Sequence, residues 1–301
     1  MIREAERYLE MRRKLGYVLT VQGRQLLGFA HYADEMGHKG PLTVEIALTW
    51  AQATSASSMH HARRLDVVRQ FARYMKVSVP ETEIPPEGIL GPSCRRMAPR
   101  IYSEQEIQAL IAACRRLTPV GGIRPHTHAT LFGLLACTGM RVSEALHLSV
   151  DDVDVERGVI TVVEGKFHKS RLLPLHPSCT EALAAYRELR ERRRPATRAF
   201  FVTHYGTSLK YLKVLTTFRG IARSLGWGRD ARIHGLRHTF AVRKLLQWHR
   251  DGEDVHRHIG QLSTYLGHCK VHDTYWYLSA VPELMAIAAE RFERYAEVHH
   301  G

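Results

Sequence analysis

The sequence predicts a mostly α fold with a small β-sheet (α+β), divided into two domains. Apolar residues recur at helical spacing in both halves of the chain, whereas apolar and polar residues alternate across residues 158–177. Between the halves, residues 77–100 hold five of the twelve prolines, and proline cannot continue a helix. We therefore expect a helical N-terminal domain over residues 1–85, a proline-rich linker over residues 86–100 and a larger domain over residues 101–301.

Charge favours nucleic acid as the partner. The chain has 301 residues and carries 43 Lys and Arg against 30 Asp and Glu, a net charge of +13. Such an excess attracts polyanions, although an ordinary basic surface or an acidic membrane would also be compatible with it. No run approaches the roughly 18 apolar residues of a membrane span, and the N-terminus lacks the apolar core of a signal peptide. We expect a soluble, intracellular protein with no membrane partner.

Cysteine and histidine spacing gives no framework for a disulfide or a metal. The five cysteines lie far apart and contain no C-x-x-C pair. His268, Cys269 and His272 form an H-C-x-x-H pattern that has no second pair at the distance of a zinc finger. We therefore predict reduced thiols, no metal and no cofactor.

The N-terminal domain is predicted to carry a basic helix next to the linker. The apolar residues of this segment recur at helical spacing: Leu65, Val68, Phe71, Ala72 and Met75. Basic residues share the segment, and such a run is ordinarily a solvated helix face. The surplus of positive charge and the position beside the linker make a phosphate-binding face an equal alternative. We predict DNA contacts from Arg63, Arg64 and Arg69.

The larger domain is predicted to begin with a helix and to contain a β-hairpin. Ser103 is an N-cap candidate and Glu106 lies three residues later, as a capping box requires. The alternating stretch over residues 158–177 predicts a hairpin with Lys166 and Lys169 at its tip. The remainder of the chain is predicted to be helical, with short loops.

Four polar segments of this domain contain side chains that could perform chemistry: TGMRVSEAL, EGKFHKSR, HGLRHTFA and LGHCKVHDTYWY. Each has an ordinary explanation by itself, because Arg141 and Glu144 could form an exposed ion pair and His268 could be a packed core histidine. Together they contain what phosphoryl transfer on a DNA phosphodiester requires. These requirements are cations for the non-bridging oxygens, an acid for the leaving oxygen and a nucleophile.

The side chains of these segments suit those roles. Arg141 and Arg237 can each present a planar fork of donors to phosphate oxygens, which lysine cannot do. Lys166 on the hairpin could protonate the leaving 5′ oxygen. His234 and His268 could donate to the phosphate or relay a proton near neutral pH.

Tyr275 and Tyr277 are the candidate nucleophiles. A phenol ionises near pH 10 when unperturbed, and we expect neighbouring cations to stabilise its ionised form. Residues two apart on a helix point to nearly opposite sides, so only one of the two phenols can face a given pocket.

The four segments, in this order, resemble the tyrosine recombinase (phage integrase) family. The family pattern is an Arg, a Lys on a β-hairpin, His-x-x-Arg, Leu-Gly-His and a Tyr nine residues later, and it covers about residues 101–295 here. The resemblance implies a catalytic set made of Arg141, Lys166, His234, Arg237, His268 and Tyr277. It further implies that Glu144 orients the arginine, and it favours Lys166 over Lys169, which we predict to contact DNA instead.

The resemblance implies a site-specific DNA recombinase or integrase of the kind that transposons can encode. Tyr277 would attack a phosphodiester to give a 3′-phosphotyrosine bond and a free 5′-hydroxyl, and a partner strand would reverse the step. Because the bond energy is retained, neither ATP nor a metal is required. The implied location is the bacterial cytoplasm, in association with the nucleoid.

The resemblance also implies partners. Double-stranded DNA is the substrate, and four protomers would assemble on two DNA sites. A predicted helix over residues 281–297 follows the nucleophile and would be exchanged between protomers. Transposon-encoded members of the family in some cases act as sets, so partner recombinases are a further expectation.

Three other functions compete with this one. A type IB topoisomerase-like enzyme shares the chemistry, and the predicted exchange helix argues against it. A catalytically silent DNA-binding regulator would not need all six catalytic groups. A metal-dependent nuclease would lose activity in EDTA.

Overall fold

The structure is a computed structural model that describes residues 1–93, 98–163 and 170–280, together with Ala286 and Ala289. The chain divides into two units, Met1–Met97 and Ala98–Gly301. The described residues are mostly helical and contain one three-stranded sheet, which confirms the predicted fold class. Within this described part, no helix is both long and apolar enough to cross a membrane.

The first unit is built from helices alone in its described part. Its helices are α1 (Ile2–Lys14), α2 (Thr20–Glu35), α3 (Val44–Gln52) and α4 (Ser58–Ser78). The apolar stripes seen in the sequence meet inside this unit, where Phe29 packs edge-on against Trp50 with 5.4 Å between ring centroids. Leu65 and Phe71 of α4 are buried in the same core.

The beginning of the proline-rich stretch belongs to the first unit. The backbone N–H of Glu83 donates to the carbonyl of Leu42 at 2.8 Å, and the Glu83 carboxylate accepts from the N–H of Val44 at 2.7 Å. Thr82 is buried beside them. These contacts hold residues 82 and 83 against the first unit. The chain therefore does not leave this unit where the prolines begin.

The second unit combines helices with the sheet in its described part. The helices are α5 (Glu104–Arg115), α6 (Ile123–Thr138), α7 (Val142–His147), α8 (Pro177–Arg192), α9 (Tyr211–Ser224), α10 (His234–Arg250), α11 (Val255–Leu266) and α12 (His272–Ala280). The capping box at the start of α5 is confirmed, because the Ser103 hydroxyl accepts from the Glu106 N–H and the Glu106 carboxylate accepts from the Ser103 N–H.

The predicted hairpin is confirmed as part of an antiparallel sheet with the order β1-β2-β3. The strands are β1 (Val153–Asp154), β2 (Val159–Val162) and β3 (Arg171–Pro174). Ile160 pairs with Leu173, and both side chains are buried because alternate residues of a strand face the core. The hairpin tip with Lys166 and Lys169 lies outside the described residues, as does most of the predicted exchange helix over residues 281–297.

Tyr102 fixes the beginning of α10, the helix that carries His234 and Arg237. Its hydroxyl donates to the carbonyl of Arg232 at 3.0 Å and accepts from the N–H of the same residue at 2.9 Å. Its backbone N–H donates to the Thr239 hydroxyl at 2.8 Å. The first turns of α10 are therefore tied to the segment that precedes α5.

Candidate active site

Two arginines are held side by side by the C-terminal carbonyls of two helices. Arg237 donates to the carbonyl of Gly139 at 2.7 Å and to that of Leu266 at 2.9 Å. Arg141 donates to the carbonyl of Gly267 at 2.7 Å. The last carbonyls of a helix lack partners within the helix and lie at its negative end, so they bind cations well. The ends of α6 and α11 therefore bring Arg141 and Arg237, which are far apart in sequence, to one place.

Glu144 connects Arg141 to a third arginine that the sequence pattern did not single out. One carboxylate oxygen accepts from the Arg141 guanidinium at 2.6 Å, and the other accepts from the Arg141 N–H at 2.9 Å. Arg171, the first residue of β3, donates to both oxygens at 3.2 and 2.8 Å and to the carbonyl of Tyr265 at 2.8 Å. Glu144 thus accepts two hydrogen bonds from Arg141, the residue it was predicted to orient, and Arg171 attaches the base of the hairpin to the same carboxylate.

The cluster carries excess positive charge. Arg141 and Arg171 pair with one carboxylate, and the third guanidinium, that of Arg237, is only 3% exposed and close enough for the charge of Glu144 to act on it. Burial, together with the charge of Arg141, lowers the pKa of Arg237 to about 10, so it stays protonated at neutral pH. A cavity of about 140 Å³ opens beside the cluster, with Arg141, Arg171 and His268 in its wall. A cavity with cations in its wall is suited to an anion, and a phosphodiester supplies one.

The predicted histidines lie around the same cluster. His234, the first residue of α10, is an exposed residue. Desolvation of its imidazole by the surrounding protein, followed by the charges of Arg237 and Arg141, lowers its pKa to about 4. Burial and the charges of Arg237 and Arg141 lower the pKa of His268 to about 4. The Nδ1 atom of His268 lies 2.7 Å from the hydroxyl of Thr274, which is fully buried and fixes the ring. Without DNA the ring of His268 is therefore neutral at pH 7.

The two candidate phenols lie on opposite sides of α12, as their spacing predicts. Tyr277 is 2% exposed, whereas Tyr275 is 37% exposed. Tyr277 faces the cluster, where Arg237 is its neighbour. Tyr275 faces outward, with its hydroxyl 3.4 Å from Nδ1 of His256. Of the two, Tyr277 is the phenol placed beside the arginines.

The Tyr277 hydroxyl contacts a histidine that was also missed. Nδ1 of His238 lies 2.9 Å from it, and the ring of His238 packs against that of His234 at 4.5 Å between centroids. The sequence contained a signal for this residue, since His238 is one helical turn after His234 and next to Arg237. Arg171 had a weaker signal, its place at the end of the hairpin-tip segment.

The phenol is less acidic than the sequence suggested. Burial raises the pKa of Tyr277 above its ordinary value of 10, and this outweighs the lowering by Arg237 and Arg141. The arginines do lower the pKa of the phenol, as expected, but burial raises it by more. The phenol is therefore protonated before the reaction begins.

The basic helix α4 uses its predicted DNA-binding arginines differently. Arg69 is buried, and its guanidinium donates to the carbonyls of Pro85 and Pro86 at 2.7 and 2.8 Å. Arg64 donates to the carbonyl of Trp50 and lies over its ring at 3.9 Å. Arg69 therefore fixes the proline-rich stretch and cannot face a phosphate in this arrangement.

Arg63 is the exposed member of this set. It donates to the carbonyl of Ser93 at 2.8 Å, which leaves other guanidinium N–H groups that could meet a phosphate.

We expect Glu144→Gln to lower the free energy of unfolding by about 3 kcal/mol, because it leaves the buried guanidinium of Arg171 without its countercharge. Burial raises the pKa of Glu144, but hydrogen bonds from Arg171 and Arg141 outweigh it and hold the pKa below its usual 4.5. The stabilisation is therefore present above pH 4.5 and is lost as the pH falls through the lowered value. Urea unfolding between pH 3 and 7 should show this loss in the wild type and not in Glu144→Gln.

Glu104→Gln is the matched control, because its ion pair with Arg243 is exposed. It should cost less than about 1 kcal/mol. Equal losses in the two variants would contradict the role given to Glu144.

Gly267→Ala should weaken both the fold and the site. Gly267 has φ +69°, and a Cβ there would lie 2.8 Å from Nη1 of Arg171 and 3.3 Å from Nη1 of Arg141. Gly252 has φ +75° and open space around it, so Gly252→Ala carries the backbone strain alone, about 1 kcal/mol. Thermal unfolding should show Gly267→Ala to be less stable than Gly252→Ala by about a further 1 kcal/mol, because bonds of Arg171 are lost. Equal stability would show that the arginines are not held as described.

Most of the predicted catalytic set converges in the second unit. Its described members there are Arg141, His234, Arg237, His268 and Tyr277, and the predicted supporting residue Glu144 lies among them. Lys166 and Lys169 lie outside the described residues. Among the residues that the structure describes, no three His, Cys, Asp or Glu side chains are grouped as a metal site would require.

Comparison with known proteins gives a consistent family. The profile of the Phage integrase family matches residues 100–282. The Sinorhizobium fredii protein y4rB, whose name marks it as an integrase/recombinase, is 39% identical, and the alignment covers 96% of each chain. The tyrosine recombinase XerD of Listeria innocua is 28% identical over 90% of this chain and 82% of its own.

Solved structures share the fold. The Tn1549 transposon integrase in complex with transposon right end DNA superposes with a TM-score of 0.72 at 15% identity, covering 97% of this chain and 99% of its own. The XerH site-specific recombinase bound to its difH substrate in a post-cleavage complex gives 0.68 at 18% identity, covering 90% and 79%. With a family profile over more than half of the chain and a relative close to 40% identical along nearly all of it, the protein belongs to the phage integrase family of tyrosine recombinases.

Proposed function

We propose that this protein is a site-specific DNA recombinase that cleaves and rejoins strands through a 3′-phosphotyrosine bond on Tyr277. The observation that carries the proposal is the position of Tyr277, a buried phenol next to Arg237 in a cluster with excess positive charge. The family relationship supports the same reaction, since its relatives are named as recombinases and integrases.

In the proposed reaction the scissile phosphate lies against Arg141 and Arg237. Arg141 donates to Glu144 and to one carbonyl, and Arg237 donates to two carbonyls. A guanidinium has five N–H donors, so each arginine has others for the non-bridging oxygens. His234 and His268 donate further hydrogen bonds to the phosphate. Fixed donors of this kind stabilise the charge that builds up in the transition state.

The reaction then proceeds by exchange of one phosphodiester for another. The Tyr277 oxygen bonds to phosphorus, and the bond to the 5′ oxygen breaks while Lys166 protonates that oxygen. The 5′-hydroxyl of a partner strand later attacks the phosphotyrosine and releases the phenol. We propose no metal and no ATP for these steps, because the energy of the phosphodiester is kept in the protein–DNA bond.

We further propose that the first unit contacts DNA and that four protomers act together on two sites in the bacterial cytoplasm. The net charge of +13 supports a DNA partner. Arg63 is the exposed arginine of the predicted DNA-binding set in α4, and we assign the phosphate contact to it and not to Arg69. Exchange of the segment over residues 281–297 between protomers, and the presence of partner recombinases, remain proposals from the sequence.

Selection from random DNA can test the proposal and identify the target site together. A library of DNA duplexes with randomised sequence and one nick near the cleavage position would be incubated with the protein in EDTA. The nick lets the short 5′-hydroxyl fragment diffuse away, which traps the covalent complex. Complexes that survive SDS would be isolated and their DNA sequenced. We expect enrichment of one site, and the absence of any SDS-resistant complex would contradict the proposal.

The same assay separates the other functions. A silent regulator would bind DNA and form no covalent complex, and a metal-dependent nuclease would cut DNA only without EDTA. A topoisomerase-like enzyme would form the complex and relax supercoiled plasmids lacking the selected site. The named relatives do not favour these alternatives.

A further inference from the structure

The nucleophile proposed above has a hydrogen-bond partner to which no role has yet been given. Nδ1 of His238 lies 2.9 Å from the hydroxyl oxygen of Tyr277, and the two rings meet edge to face at 5.5 Å between centroids. His238 belongs to α10, one turn after His234 and directly after Arg237. The contact is therefore built from the same helix that supplies the phosphate-binding groups.

The protonation states give this contact a direction. Burial raises the pKa of Tyr277, so the phenol carries its proton. Burial and the nearby His234, Arg237 and His268 lower the pKa of His238 to about 3, so the imidazole is neutral. A neutral imidazole has one nitrogen that accepts, and a protonated phenol has one O–H to donate and an oxygen that can also accept. Arg237 can only donate and acts on the phenol oxygen through a hydrogen bond, which leaves the O–H for His238. The bond is best satisfied when the phenol donates to Nδ1 and Nε2 carries the imidazole proton.

Attack on phosphorus makes removal of that proton necessary. As the phenol oxygen bonds to phosphorus its O–H becomes strongly acidic, and an acceptor already in contact can take the proton without reorganisation. The phosphate also makes His238 more basic. Its pKa is lowered in part by cationic or ionisable groups, and an anion bound among them offsets that effect.

The groups that face His238 come from three directions. From α10 and α12, and from the connection between α11 and α12, the neighbouring residues are His234, Arg237, Trp276, Tyr277 and His268. Asp273 of α12 also acts on Tyr277 and His268. Its charge adds to the raised pKa of Tyr277 and offsets part of the lowering of the pKa of His268. A base must be unprotonated, so activity that depends on His238 is lost as the pH falls through its pKa in the DNA complex.

The other two site histidines are placed for different work. Nδ1 of His268 is engaged by Thr274, and its ring lies nearly parallel to the phenol at 6.4 Å between centroids, a geometry that does not point at the hydroxyl. His234 packs against His238 and is an exposed residue at the start of α10, the helix that carries Arg237. Both suit donation to the phosphate.

We propose that His238 is a catalytic residue, the general base that accepts the proton of Tyr277 during strand cleavage. This inference rests on the proposed function. In the forward step the O–H proton moves to Nδ1, the phenol oxygen bonds to phosphorus, and the bond to the 5′ oxygen breaks as Lys166 protonates that oxygen. In the reverse step Lys166 takes the proton of the attacking 5′-hydroxyl and the imidazolium returns its proton to the departing phenol, so no further reactant is needed.

The test uses the full-length protein and two nicked duplexes that carry the site selected above. One duplex has the natural 5′ oxygen at the scissile bond and the other has sulfur there. A thiolate leaves without being protonated, so the sulfur duplex removes the need for the leaving-group acid and keeps the need for a base. The variants are His238→Asn, which retains a hydrogen-bonding atom near the position of Nδ1, and Lys166→Ala. The readout is the single-turnover rate of covalent complex formation.

We expect His238→Asn to slow complex formation about 100-fold on both duplexes, within the range for a general base. Lys166→Ala should be slow on the oxygen duplex and close to wild type on the sulfur duplex. His256→Asn is the matched control, because its Nδ1 lies 3.4 Å from the exposed hydroxyl of Tyr275 on the opposite side of α12. It should stay within about threefold of wild type.

Two results would overturn the inference alone: a His238→Asn rate within about threefold of wild type, or its rescue by sulfur. Failure of the wild type to form any complex would remove the proposed function as well. Thermal unfolding shows whether His238→Asn is folded. If it is not, the test is the solvent isotope effect on the rate of covalent complex formation by the wild type. On the sulfur duplex only the phenol proton is in transfer, so the rate should fall in D₂O, and equal rates in H₂O and D₂O would contradict the inference.

Discussion

Replacing Tyr277 by phenylalanine is expected to abolish covalent complex formation and strand exchange, with a loss of about 10⁴-fold or more. The change removes the nucleophilic oxygen and leaves a ring that has no atom able to attack phosphorus. The effect on stability should be small, about 1 to 2 kcal/mol, because the ring stays packed and only the hydrogen bonds of the hydroxyl with His238 and Arg237 are lost. Binding to the selected site should be retained, which separates loss of chemistry from loss of folding.

Tyr275→Phe is the control that the structure offers for this prediction. Its hydroxyl is exposed on the opposite side of α12 and makes a long contact of 3.4 Å with His256. We expect rates within about threefold of wild type on the nicked duplex. A covalent complex that persists in Tyr277→Phe and disappears in Tyr275→Phe would reverse the assignment.

Replacing Arg237 by lysine is expected to slow cleavage by about 10² to 10³-fold while preserving the charge. A guanidinium holds the carbonyls of Gly139 and Leu266 and still has donors for a phosphate, whereas an ammonium group cannot span the same positions. Loss of one fixed donor to a developing charge has effects of this size. Stability should fall by about 1 to 3 kcal/mol, because a buried carbonyl loses its partner.

Arg243→Lys is the matched control on the same helix. The Arg243 side chain is about 40% exposed and pairs with Glu104 at the surface. We expect it to change the cleavage rate by less than about threefold. If both lysine variants cleave at the wild-type rate, Arg237 has no part in stabilising the transition state.

The elements of the second unit could be predicted where the signal is local. The capping box of Ser103 and Glu106 depends on residues three apart, and the hairpin depends on an alternation within residues 158–177. The opposite directions of Tyr275 and Tyr277 follow from helix geometry alone. The structure confirms these predictions. Each could be made because it depends on residues close together in sequence and not on tertiary contacts.

The contacts that shape the site could not be predicted in this way. The helix-end carbonyls that hold Arg237 belong to Gly139 and Leu266, which are 98 and 29 residues away in sequence. No side-chain pattern marks which helix ends will meet. The raised pKa of Tyr277 depends on burial outweighing the charge of two arginines, a balance that only packing decides.

The path of the proline-rich stretch also depends on tertiary contacts that the sequence did not reveal. Proline explains why α4 ends, but the hydrogen bonds from Arg69 to Pro85 and Pro86 decide that the next residues stay on the first unit. The basic residues of α4 predicted a DNA-binding face, but one of them, Arg69, is buried and stabilises the fold instead.

The most direct test is to identify the amino acid that carries the DNA. The SDS-resistant complex formed on the selected site would be digested with nuclease and protease, and the peptide bearing the nucleotide would be sequenced by mass spectrometry. We predict a nucleotide attached through its 3′-phosphate to the phenol oxygen of Tyr277. Attachment at Tyr275 or at any other residue, or through a 5′-phosphate, would contradict the mechanism.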